Sequence, residues 1–267
     1  MADIDLEELS STDFGREVAA YGEKDYRAQL AMGDPSHPTV VEFAVTNWLT
    51  LYRVQSIFSK EPETIEWLSE MTSNDVLLDV GANVGIYTVL AAKVRGARVF
   101  AMEPEAFNFA MLSKNVAINN LCDRVTAYCV AAGDHTGFDK LYVSKLGAGY
   151  SSHQLREQVT PSLEPTQLPF LQGTLAVTID DAILGGAVLQ PTHLKIDIDG
   201  FEHKVIAGAE RALANPTLST VLLEVNEELE EHRDMVRRMQ RVGFSYKPEQ
   251  VAASYPGEPQ ANYVFRR

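Results

Sequence analysis

Apolar residues change their spacing along this chain, and the changes divide it. Between Val41 and Phe58 they are dense: Phe43, Val45, Trp48, Leu49, Leu51, Tyr52, Val54 and Ile57 crowd helical faces. A proline flanked by acids in Glu61-Pro62-Glu63-Thr64 suits a helix start. Residues 1–73 therefore read as a helical extension or cap. The pattern then shortens. Val76–Val80 is a brief apolar run ending in glycines, which predicts a buried strand. Ile86, Val89, Leu90 and Val94 follow at helical spacing, with Gly96 to close that helix. Residues 98–102 predict a second buried strand, and Pro104 opens a helix carrying Phe107, Met111 and Ile118. Residues 125–131, rich in β-branched and aromatic side chains, predict a third.

The rhythm breaks over residues 144–175, where Gly147, Gly149, Pro161, Pro165 and Pro169 mark a long irregular insertion of the kind used as a lid or binding loop. It resumes with Leu194–Asp197, a helix bearing Phe201, Val205, Ile206 and Leu213, a strand over 220–225, and a helix bearing Leu229, His232, Val236 and Met239. Residues 244–246 and 262–265 close the chain as two strand candidates with no helix between them. Strand–helix alternation means parallel pairing through right-handed crossovers, hence an α/β open sheet, mostly parallel, with an antiparallel hairpin at its C-terminal edge. Residues 74–267 form that Rossmann-like domain.

Composition narrows the function. With 45% hydrophobic and 22% charged residues the chain is ordinary globular material. Its 23 Lys+Arg against 37 Asp+Glu leave a net charge of −14, which argues against nucleic acid and anionic membrane surfaces as partners. The N-terminal MADIDLEELSSTDF lacks a basic segment leading into an apolar one, so no signal peptide is expected, and no run reaches the ~18 apolar residues of a membrane span. Cys122 and Cys129, the two cysteines, are expected to be core thiols of a reducing, cytoplasmic compartment.

Open parallel sheets bind ligands beyond the carboxyl ends of their strands. The first strand ends in Asp79-Val-Gly81-Ala82-Asn83-Val-Gly85, whose glycines allow a tight turn and close backbone approach to a ligand. A dinucleotide fingerprint would need glycine where Asp79 or Asn83 stands, and a carboxylate beside a pyrophosphate repels it. The same carboxylate suits a cationic, phosphate-free nucleoside, and S-adenosylmethionine fits. The second strand ends in Glu103-Pro104, one helix and crossover further on, where an acid can accept from both hydroxyls of a ribose. At the third, Ala131, Ala132, Gly133 and Asp134 could meet an adenine edge; a plain turn fits them equally. In the fourth, Lys195-Ile-Asp197-Ile-Asp199-Gly-Phe-Glu202, alternation sets Lys195, Asp197 and Asp199 on one side. Helix capping by Asp199 and pairing of Asp197 with Lys195 would account for these charges without catalysis. Asp197, Asp199 and Glu202 or Glu224 could also take a divalent cation, but no metal is expected.

These motifs resemble the FkbM-type methyltransferases: Asp79 to Thr88, Glu103-Pro104, Ala132 to Asp134, Leu194 to Glu202, and upstream Lys60 to Thr64. Asp199 stands where that family is expected to carry glutamate. The resemblance covers residues 56–226. It implies a class I methyltransferase fold, S-adenosylmethionine as cofactor with S-adenosylhomocysteine as product, and methyl transfer to a hydroxyl of a small natural-product or sugar-type acceptor. Asp197 is the first candidate base or acceptor-orienting residue; His153, on the long insertion, is the second because imidazole titrates near neutrality. Glu61 and Thr64 could touch the cofactor or only start a helix. The competing readings are an NAD(P)-dependent oxidoreductase and a non-catalytic module binding a cofactor or protein.

Overall fold

The computed structural model describes Asp13, Arg16 and residues 26–33, 36–255 and 259–267. The first described elements are β1 (Arg27–Met32) and β2 (Thr39–Ala44), then the short helices α1 (Trp48–Gln55), α2 (Ile57–Lys60) and α3 (Pro62–Ser69). Next come β3 (Val76–Val80), α4 (Ile86–Val94), β4 (Arg98–Met102), α5 (Ala106–Ile118) and β5 (Val125–Tyr128). After them lie β6 (Ala131–Ala132), β7 (Gly137–Val143), β8 (Gln154–Leu155) and β9 (Phe170–Val177). The chain continues through α6 (Ile179–Leu184), β10 (His193–Ile196), α7 (Glu202–Ala207), α8 (Glu210–Ala214) and β11 (Thr220–Asn226), and ends with α9 (Glu230–Arg241), α10 (Pro248–Ser254) and β12 (Gln260–Arg266).

The central sheet runs β12-β11-β10-β3-β4-β5, parallel throughout except for β12, which lies antiparallel on β11. This is the expected Rossmann-like arrangement. Apolar side chains fill both of its faces: Val89, Leu90, Val99 and Leu112 pack on one side, and Val205, Ile206, Leu213 and Met239 on the other. The near-continuous burial of β3 and β10 follows from that double cover.

The structure departs from the sequence reading at three places. Residues 27–44, expected to be helical, form the β1–β2 hairpin; the rest of that expectation from residue 1 to 25 lies, apart from Asp13 and Arg16, outside the described residues. The hairpin is fastened by amides of α5: Ala44 N donates to Asn115 Oδ1 (2.8 Å), and Glu42 exchanges two backbone bonds with Asn119 (3.0 and 2.6 Å). Burying Val41 and Phe43 on one face while Val40 and Glu42 face outward needs a period of two, which the helical count overlooked. Second, the 144–175 insertion is only partly irregular. Its β8 and the start of β9 join β6 and β7 in a four-stranded sheet, β6-β9-β7-β8. The prolines end at Pro169, and Phe170 onward pairs with β7. Third, the C-terminal edge is one strand, β12, with Ser245 bridging to Arg266, and α10 lies between them. Pro248 in the first turn of α10 starts that helix.

Both cysteines are free and exposed, not core thiols, because each falls in a connection at the end of an element. Among the described residues no helix is long and apolar enough to cross a membrane.

Trp67 ties the first helices to the sheet. It is fully buried, donates Nε1–H to Thr220 Oγ1 (2.8 Å), and meets His193 edge-on at 6.0 Å. Trp67→Ala is expected to lower the unfolding free energy by about 3–5 kcal/mol, measured by urea denaturation. A loss under about 1 kcal/mol would show that α3 is not part of the cooperative core.

Candidate active site

The tips of β3, β4 and β10 are drawn together by backbone bonds. Gly81 N and Ala82 N both donate to Met102 O (2.9 and 3.1 Å), and Asp197 N donates to Val80 O (3.1 Å). Gly81 turns in the left-handed region at φ +78°, and a Cβ there would stand 1.9 Å from Asp197 O. No other residue type fits that approach. Asn83 is also left-handed, at φ +50°. Its backbone N–H donates to Glu103 Oε2 (2.8 Å), while Glu105 N–H donates to Glu103 Oε1 (2.9 Å). Glu103 is thereby aimed across the turn, and its burial pushes its pKa up to about 7.

Three adjoining cavities follow this carboxyl edge. One of about 560 Å3 is lined by Pro104, Ala131, Ala132, Asp134, His153 and Phe201, among others. The next, about 350 Å3, touches Asn83, Glu103, Pro104, Asn108, His153 and Asp197. The third, about 500 Å3, lies between α1, α2 and the start of α4, against Arg53, Lys60, Glu61, Ala82, Tyr87 and Asp197. Gly81 borders all three.

The structure thus gathers Gly81, Ala82, Asn83, Glu103, Pro104, Ala131, Ala132, Asp134, His153 and Asp197 along one crevice. It leaves Asp79 and Gly85 behind the turn. Gly85 opens α4 at φ +83°, where a Cβ would meet Leu112 at 2.4 Å. Asp79 is buried beside Lys195, its register partner, and accepts from Thr88 Oγ1 (2.5 Å). Its Oδ1 has no partner among the described residues, and burial raises its pKa.

Lys195 is also buried, and its Nζ donates to Asp197 Oδ2 (2.8 Å). Burial works against the ammonium, but Asp197, Asp79 and Glu61 more than offset it and keep it charged. Burial likewise opposes ionisation of Asp197, and Lys195, aided by Lys60 and Arg53, overcomes it and holds that carboxyl below its usual range. Asp197 Oδ1 has no protein partner among the described residues and borders the crevice. His153 accepts from Ser144 N at Nδ1 (3.3 Å), which sets the neutral ring's proton on Nε2, a buried position without a partner among the described residues. Burial drops its pKa to about 4. The neutral ring lines two of the cavities.

Other acids serve the frame. Glu202 accepts from Ile198 N (2.8 Å) and Gly200 N (3.1 Å), stitching the β10–α7 turn. Asp199, left-handed at φ +60°, accepts from Ser152 N (2.6 Å) and holds the 144–153 segment over the crevice. Asn226 accepts from Glu228 N (3.0 Å) in a turn after β11. Glu61 is buried against Tyr87 Oη (2.8 Å) and lines the third cavity; Thr64 stands behind it. Sequence reasoning missed Asn108, which accepts from Gly149 N (2.7 Å) and donates to Tyr150 O (2.9 Å). An asparagine inside an apolar helix was its one signal. It also missed Arg53 and Tyr87. Among the described residues no three His, Cys, Asp or Glu side chains are placed to hold a metal ion.

The sequence model described as Methyltransferase FkbM domain matches residues 79–246. The chain belongs to the FkbM methyltransferase family. It is accordingly an enzyme of the methyltransferase class. It is similar to the hexuronic acid methyltransferase AglP of Haloferax volcanii, 24% identical over 188 residues that cover 69% of this chain and 70% of that one. It is also similar to the 31-O-demethyl-FK506 methyltransferase FkbM of Streptomyces tacrolimicus, 28% identical over 203 residues covering 68% and 76% respectively. A solved FkbM methyltransferase from Methylobacillus flagellatus superposes with a TM-score of 0.48 at 18% identity, over 84% of this chain and 56% of that one.

The buried acids set a pH signature for the family member. Burial, then Asp197, Glu202 and Asp199, pushes Glu224 up to about 9; burial pushes Glu202 up to about 8. In the unfolded chain both are ionised well below neutrality. The folded state therefore holds extra protons, and stability must fall as pH rises until the folded values are passed. Burial lowers the pKa of His153, His193, His203 and His232, so these rings are neutral in the folded state above about pH 7 and do not mask the trend. The ligand-free protein is expected to lose stability between about pH 7 and pH 9, by up to about 1.4 kcal/mol per unit for each group. Denaturant titrations should show a flatter slope for Glu224→Gln; an unchanged slope would contradict the assignment.

Proposed function

We propose that the protein transfers a methyl group from S-adenosylmethionine to a hydroxyl of a small natural-product or sugar-type acceptor. The observation that carries this reading is the Gly81 turn closed against Asp197 O, with the Glu103 carboxylate fixed across its mouth by two backbone N–H groups. A nucleoside can lie in that cradle with its ribose hydroxyls on Glu103. Ala131, Ala132, Pro104 and Asp134 form the flat, mostly apolar end for the base. Behind the turn stands Asp79, a buried acid with one oxygen unpartnered among the described residues, and an acid there disfavours a pyrophosphate. The residues therefore fit the cofactor. The names of the two relatives, a hexuronic acid and a demethylated natural product as substrates, support the acceptor class.

When bound, S-adenosylmethionine supplies a methyl group activated by its sulfonium. The chain's own residues position the nucleophile. Asp197 Oδ1 can accept the hydrogen bond of an acceptor hydroxyl, while Lys195 holds Oδ2 and fixes the rotamer. A carboxylate kept ionised by Lys195 is a weak base, so it takes the proton late, as the hydroxyl oxygen gains positive character on forming its bond to carbon. His153 Nε2–H can donate to a neighbouring acceptor oxygen and orient it. The 144–153 segment keeps water out of the crevice: Asn83 and Asn108 both donate to Tyr150 O (2.9 Å each), and Asn47 donates to Ala148 O (2.8 Å).

Thermal melts with S-adenosylmethionine, S-adenosylhomocysteine and NAD test the cofactor. Ligand at about 100 Kd should stabilise the protein by roughly 2.7 kcal/mol, and Glu103→Ala should remove that shift. Stabilisation by NAD alone would favour the oxidoreductase reading and overturn this one. Asp197→Asn is expected to lower kcat by about 10²-fold or more with cofactor affinity little changed, measured by single-turnover methyl transfer. Equal loss of both would move Asp197 to a cofactor role.

A further inference from the structure

One cation on the crevice has no acidic partner. Lys195 is paired with Asp197, Lys60 with Glu61, Arg156 with Asp139 and Lys204 with Glu157. Arg53 makes no ion pair among the described residues, although the third cavity it lines also holds Glu61 and Asp197. Its guanidinium is nevertheless fixed. Nε donates to Gly149 O (2.7 Å), and Gly149 can approach α1 that closely because it carries no Cβ; one would stand 3.3 Å from Leu49 Cγ. The bond at Nε orients the planar group and leaves both Nη atoms without an acceptor among the described residues. Arg53 is half-buried and shares the third cavity with Asp197 and Lys60. A half-buried guanidinium with an idle fork is matched by a planar anion that accepts two parallel hydrogen bonds.

We propose that Arg53 is the carboxylate-binding residue of this site, taking the carboxylate of a bound ligand on its two Nη groups while Gly149 O holds Nε. The inference rests on the methyl-transfer reading above. Two ligands could supply the carboxylate: the amino-acid end of the cofactor, or an acidic acceptor such as a uronic acid. Lys60, on the same cavity wall, adds charge to either.

Calorimetric titration of the full chain separates the sources. Wild type, Arg53→Gln and Arg53→Lys are titrated with S-adenosylhomocysteine and with 5′-methylthioadenosine, which keeps the nucleoside and thioether but has no carboxylate. Each is then titrated with D-glucuronate and D-glucose in saturating S-adenosylhomocysteine. A loss of about tenfold or more for S-adenosylhomocysteine in Arg53→Gln, with 5′-methylthioadenosine unchanged, is expected if the cofactor's carboxylate is held. Unchanged S-adenosylhomocysteine with weakened glucuronate and unaltered glucose assigns the acceptor's carboxylate instead. Arg53→Lys, which keeps the charge but not the fork, should recover only part of the loss. Unchanged affinity for every carboxylate ligand overturns the proposal, as does a parallel loss for 5′-methylthioadenosine in both variants. Failure of wild type to bind either adenosine ligand would overturn the methyl-transfer reading itself, which leaves the two failures distinct.

Discussion

The closest constraint in this molecule is between two backbones. Gly81 and the carbonyl of Asp197 approach so nearly that a single added carbon at residue 81 would overlap the oxygen. Parallel strands β3 and β10 can end at the same level only because of that missing Cβ. Their shared end then sets the rest. The turn after β3 leans on Met102 O at the tip of β4, Asn83 reaches Glu103, and Asp197 emerges beside the turn rather than behind it. Removing the close approach would separate the cradle for a nucleoside from the carboxylate that faces an acceptor.

A second constraint is charge. The chain carries a net −14, and a share of its acids converges on the carboxyl edge of the sheet. Lys195 makes this tolerable by standing buried between Asp79 and Asp197. Burial, and after it the repulsion of Asp197, falls on Glu202, Glu224 and Asp199, whose raised pKa values mark where protons are retained. Arg53 adds a further positive charge, held by Gly149 rather than by an acid. The site is therefore an acidic basin in which Lys195 and Lys60 are committed to acids of the protein and Arg53 is not.

Much of this was legible in the sequence, for a physical reason. The glycine turn, Glu103-Pro104 and the Lys195–Glu202 segment are local: neighbouring residues create the conformation and the chemistry together. Strand–helix alternation likewise pointed to a mostly parallel open sheet. Contacts made across long sequence distances were not legible. Asn108 and Asn83 meet Tyr150 only through the fold, and Arg53 acquires its meaning from Gly149. The β1–β2 hairpin was misread because dense apolar residues in 41–58 span a strand and a helix, and the two periods blur over so short a window. Asp79 was legible as an acid but not as a buried one: its place behind the turn follows from its pairing with Lys195 across the sheet.

The central claim is that the crevice along β3, β4 and β10 receives an adenosine cofactor with its ribose on Glu103. A crystal structure of the complex with S-adenosylhomocysteine tests this most directly. The account predicts both ribose hydroxyls within hydrogen-bond distance of the Glu103 carboxylate and the base against Ala131, Ala132 and Pro104. Density for the ligand outside this crevice, or a ribose that leaves Glu103 untouched, would contradict it.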